Sequence, residues 1–96
     1  MPIQQDLEKC IKDTSAFVSN RAANTLMPWR DYPIPQLITS IQRAIRIKNN
    51  QANGFIIHSK GGVSLEKIVL TYADFTEDDK KIANATLGIK PLTSFR

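Results

Sequence analysis

Apolar residues recur at steps of three and four from the first turn of the chain. Ile3, Leu7, Cys10, Ile11, Phe17 and Val18 form one stripe, while Asp6, Glu8, Lys9, Lys12 and Asp13 lie largely off it. That period predicts an amphipathic helix reaching about residue 20. Pro2 suits its first turn, where a missing N–H costs nothing, and Asp6 and Glu8 favour the positive end of the helix dipole. A second stripe, Leu37, Ile38, Ile41, Ala44 and Ile45, predicts a helix opening at Pro35, with Gln36, Thr39, Arg43, Arg46 and Asn50 on the opposite side. Between the two, residues 27–35 hold three prolines and predict a stiff connector rather than regular helix.

Asn49, Asn50, Asn53 and Gly54 predict the end of the second helix, because Asn and Gly tolerate the left-handed conformation that closes one. Phe55-Ile56-Ile57 then forms a short β-favouring run, and Lys60-Gly61-Gly62 signals a turn. Residues 63–73 support two readings. As a helix capped by Ser64, they put Leu65, Ile68, Val69 and Tyr72 on one stripe. As a strand, they would pair with residues 55–59 through a hairpin at Gly61-Gly62, which suits their β-branched and aromatic content. The last element is a helix with Thr76 as its N-cap, Glu77, Asp78 and Asp79 in its first turn and Gly88 at its end. Residues 89–96 read as a tail that packs through Ile89 and Leu92. The expected fold is a single small domain over residues 1–96, mainly α with three to four helices, or α+β with a short hairpin at about 54–72.

Composition adds little beyond a modest core: 42% of the 96 residues are hydrophobic and 23% are charged. No stretch approaches the roughly 18 apolar residues of a membrane span, and the N-terminus lacks the basic-then-apolar layout of a signal peptide, so a cytoplasmic location and no membrane partner are expected. The net charge of +4 is more informative once it is located. Residues 1–29 and 61–96 each balance to zero, and the excess falls in residues 30–60, where Arg30, Arg43, Arg46, Lys48 and Lys60 face only Asp31.

Catalytic chemistry finds few candidates. Cys10 and His58 are the single thiol and the single imidazole. Cys10 falls on the apolar stripe, where a cysteine behaves as a small hydrophobe with a raised pKa. The acidic run at 77–79 is explained by capping, and Ser59-Lys60-Gly61-Gly62-Val63-Ser64 reads as a turn without the spacing of a nucleotide-binding loop. Asp78–Lys90, with Ile82-Ala83 and Leu87-Gly88-Ile89, resembles the first helix and turn of a helix-turn-helix unit. Asn84 stands where that pattern carries a small side chain, and Pro91 follows the turn, so no such unit is expected. No metal site and no cofactor are expected.

What remains is a binding surface. Trp29, Arg30, Tyr32, Arg43, Arg46, Lys48 and Lys60 combine aromatic anchors with charge, so the expected function is that of a non-enzymatic binding protein: an inhibitor, an adaptor or a subunit of an assembly. A protein partner is expected first and nucleic acid second, through phosphate contacts by the same basic residues. Self-association through Phe55-Ile56-Ile57 is a further option.

Overall fold

The computed structural model describes residues 3–88, which form six α-helices and one 3-10 segment with no strand among them. The helices are α1 (Ile3–Phe17), α2 (Asn20–Leu26), α3 (Ile34–Ala44), α4 (Lys48–Ser59), α5 (Leu65–Thr71) and α6 (Glu77–Leu87), with the 3-10 segment at Met27–Asp31 between α2 and α3. The mainly α expectation holds, but the helix count is higher than expected because two long segments are each broken once. No helix among the described residues is long and apolar enough to cross a membrane. The expected tail at 89–96 and the role of Pro2 lie outside the described residues.

α1 buries the predicted stripe, Ile3, Leu7, Cys10 and Ile11, and adds Thr14. It stops at Phe17 rather than about residue 20, because Ser19 starts a new helix. The Ser19 hydroxyl accepts a hydrogen bond from the Ala22 N–H at 3.1 Å, and an N-cap in extended conformation cannot also continue the preceding helix. Two of the three prolines of residues 27–35 fit helical turns, Pro28 in the opening turn of the 3-10 segment and Pro35 in the first turn of α3, while Tyr32 and Pro33 are extended and form the only non-helical link between them. α3 buries Leu37, Ile41 and Ala44, followed by Ile45, as its stripe requires.

The hairpin alternative is not what forms. Phe55, Ile56 and Ile57 lie in α4, and residues 65–71 are α5, capped by Ser64 through its hydroxyl to Lys67 N–H at 3.1 Å. Leu65, Ile68 and Val69 on one face of α5 outweigh its β-branched composition, since that face completes the core with Leu7, Leu37, Ile41 and Ile45. Gly61 takes the left-handed turn at φ +78°, and the Val63 N–H donates to Asp13 Oδ2 at 2.8 Å. The amide an anion would need in that loop is thus held by the chain's own carboxylate.

The Asn-rich segment is the largest departure. Asn49, Asn50, Asn53 and Gly54 lie inside α4 instead of ending α3, and the break falls earlier, at Ile45-Arg46-Ile47. Polar side chains cap that break. Gln51 donates to the Ile45 carbonyl at 2.9 Å, and Arg46 donates through Nη1 to the Gln42 carbonyl at 2.7 Å.

Arg46 also ties the end of α3 to the start of α6. Its Nη2 lies 2.8 Å from Asp79 Oδ1, while Asp79 Oδ2 accepts from Gln42 at 2.7 Å and from the Thr76 N–H at 3.0 Å. Thr76 Oγ1 accepts from the Asp79 N–H at 3.1 Å, which completes the expected capping box. Burial alone would raise the Asp79 pKa, but the bonds from Gln42, Thr76 and Arg46 outweigh it and hold the carboxyl at about 2. α6 ends at Gly88 with φ +74°, as expected. A carboxyl depressed below its unfolded value stabilises the fold above about pH 4, and that stability is lost as pH falls through about 2. In denaturant titrations across that range, Asp79→Asn flattens the acid limb. At neutral pH Asp79→Ala costs about 2–4 kcal/mol, because a buried cap and three hydrogen bonds go together.

Candidate functional site

The residues expected to form a partner surface divide into three groups. Arg30 and Arg46 are exposed but paired, Arg30 Nε with Glu8 at 3.4 Å and Arg46 with Asp79 and Asp78. Trp29 and Tyr32 are half-buried and pack against the core, so much of their apolar area already serves folding. Arg43, Lys48 and Lys60 are exposed and enter no ion pair among the described residues. Lys48 opens α4 and Lys60 follows its last residue, about 18 Å away at 1.5 Å per residue. The located excess of charge is therefore partly neutralised and otherwise divided between Arg43 on α3 and the two ends of α4.

The outer face of α4 carries what the aromatic connector was expected to offer. Lys48, Ala52, Phe55, Ile56 and Ser59, at helical spacing, are all exposed. Phe55 retains 52% of its surface and Ile56 37%, while Ile47, at the N-cap about two turns earlier, retains 53%. Phe55-Ile56-Ile57 is thus a helical patch with Ile57 turned inward, not an edge strand.

The inner face of the same helix borders a cavity of about 330 Å³. α1 contributes Thr14 to its wall, α2 contributes Arg21, Ala22, Thr25 and Leu26, α4 contributes Asn50, Asn53, Gly54 and Ile57, and α5 contributes Leu65 and Glu66. Glu66 is 1% exposed, and its Oε2 accepts no hydrogen bond among the described residues. Burial pushes its pKa up to about 7 against a smaller opposing contribution from its own N–H. The carboxylate fits only because residue 54 lacks a side chain, since a Cβ there would come within 2.7 Å of Glu66 Cδ. On the α1 side Cys10 is fully buried beside Thr14, and desolvation raises its thiol to about 12, with Glu66 and Asp13 adding to the effect. A thiol held neutral in this way is a packing group.

Sequence reasoning passed over Glu66 and treated Asn50, Asn53 and Gly54 as a helix end. Their composition did hold a signal, since poor helix formers inside a helix mark a place where another demand overrides propensity. Here Gly54 leaves room for a carboxylate, and Asn50 and Asn53 line the adjoining cavity.

No protein-family model, curated protein or solved structure matches this chain.

In an exposed helix interior Gly→Ala is worth about +1 kcal/mol of stability. Gly54→Ala is expected to reverse that sign and cost about 1–3 kcal/mol, because the new methyl displaces a buried carboxylate. In a Glu66→Ala background the loss disappears. Urea unfolding of the two single variants and the double variant measures this coupling.

Proposed function

We propose that this chain is a non-enzymatic binding protein that docks a protein partner through the outer face of α4. The observation that carries the reading is the exposed pair Phe55 and Ile56 on the solvent side of α4, whose Gly54 and Ile57 are turned inward. Large apolar side chains grouped on one exposed face suit a shape-matched apolar groove, and a large aromatic is a typical binding anchor. Lys48 and Lys60 bracket the patch, so a groove rimmed by acidic residues is the complementary surface. The buried, neutral Cys10 supports a non-enzymatic role.

Nucleic acid, the alternative, draws less support. Phosphate binding needs several free cations on one surface, and Arg30 and Arg46 are committed to Glu8, Asp78 and Asp79. A second copy of the chain would bring Lys48 and Lys60 against basic residues unless the copies pack out of register.

Phe55→Ala combined with Ile56→Ala leaves the fold intact by circular dichroism, because both side chains lie on the exposed side of α4 outside the core cluster. In affinity purification from the native cell, the protein captured by the parent chain is lost from this double variant. Trp29→Ala, matched for folded fraction, retains it. Equal capture by the α4 variant refutes the surface, and capture of nucleic acid that falls steeply with salt favours the alternative.

A further inference from the structure

We propose that the cavity bounded by α1, α2, α4 and α5 is a binding site for a small organic ammonium ion, whose charged nitrogen pairs with Glu66. Two independent features converge there. One is a pocket of about 330 Å³, partly open to solvent, at the lower edge of the range that holds small ligands. The other is a carboxylate 1% exposed with one oxygen unpartnered, set into the cavity wall. An unsatisfied buried carboxylate is costly, and a ligand bringing both positive charge and N–H donors relieves both parts of that cost.

The remaining walls narrow the ligand class. Leu26, Ile57 and Leu65 are apolar and suit a compact hydrocarbon body. Asn50 and Asn53, one turn apart on α4, make no side-chain hydrogen bond among the described residues and remain able to bond a ligand's polar atoms. One carboxylate with neutral amides is too few hard ligands for a divalent metal ion, which takes six or more oxygens. An organic monocation fits instead.

The helix sequence is arranged around the same point. Gly54 in the interior of α4 is a poor helix former, and its absent side chain gives the carboxylate its place. Cys10 on α1 is the titratable group coupled to Glu66 and Arg21 on α2 lines the same pocket, while α4 presents only uncharged residues to it. Arg21 is exposed and forms no ion pair with Glu66 among the described residues, so its charge stays at the solvated rim. Cys10 is neutral throughout the ordinary pH range. Affinity for a cation therefore follows the ionisation of Glu66 and rises with pH through about 7.

The test uses the full chain, with benzylamine and isoamylamine as probes and benzyl alcohol and isoamyl alcohol as neutral counterparts of similar shape. Two-dimensional amide NMR is expected to show saturable shifts at Ala22, Gly54 and Glu66 with the amines and not with the alcohols. Binding weakens about tenfold or more between about pH 8 and about pH 5.5, where the amines stay charged and Glu66 does not. Glu66→Gln weakens it about tenfold at the higher pH. Absence of saturable shifts overturns the proposal, as does equal binding of amines and alcohols. The pH series on the parent chain decides the matter even where the Gln variant folds poorly: affinity that does not fall on acidification overturns it as well.

Discussion

The architecture turns on a close approach of α4 to α5 at one point, where Gly54 gives way to the Glu66 carboxyl group. Residue 54 carries no side chain because the neighbouring carboxyl occupies that space. The carboxyl is there because Glu66 follows the Ser64 cap in the first turn of α5, where a negative charge meets the positive end of the helix. The short α5 in turn buries Leu65, Ile68 and Val69 against α1 and α3. Moving the carboxyl thus perturbs the cavity on one side and the core on the other.

A second buried carboxyl, Asp79, shows how differently the same chemical group behaves when fully partnered. Both are nearly inaccessible, at 1% for Glu66 and 2% for Asp79. Asp79 receives hydrogen bonds from Gln42, Thr76 and Arg46 and stays ionised down to about pH 2, whereas Glu66 lacks such donors and rises to about 7. Asp79 therefore acts as a fastener between the end of α3 and the start of α6. Glu66 is held at a cost to stability that grows as pH rises past its ordinary value, and such sites are more often retained for function than for folding. The two faces of α4 differ in character: an outer surface with Phe55 and Ile56 exposed between Lys48 and Lys60, and an inner face where Asn50, Asn53, Gly54 and Ile57 line the cavity beside Glu66.

Much of the fold was legible because it follows from simple periodicity and capping. The apolar stripes of α1 and α3, the Ser64 cap of α5 and the Thr76 to Asp79 box of α6 all appear where residue types require them. Helix breaks were harder to see, since Ser19 and the Ile45-Arg46-Ile47 corner carry neither glycine nor proline. They depend on side-chain hydrogen bonds, Ser19 accepting from the Ala22 N–H and Arg46 donating to the Gln42 carbonyl and to Asp79. The same long-range pairing removed Arg30 and Arg46 from the pool of free cations, because a count along the chain cannot show that Glu8 or Asp79 lies opposite. Asn50, Asn53 and Gly54 misled local reasoning for a physical reason: their helix-breaking tendency is real, and the packing of α4 overrides it.

A buried carboxylate with one oxygen unpartnered, made possible by a helix glycine, is the feature on which this account rests, and its titration in the free protein is the direct measure. Carbon-13 NMR of the Glu66 side-chain carboxyl across the acid-to-neutral range should give a midpoint near 7. A midpoint at or below the ordinary value of 4.5 would mean that the group is solvated or paired, and would contradict the account.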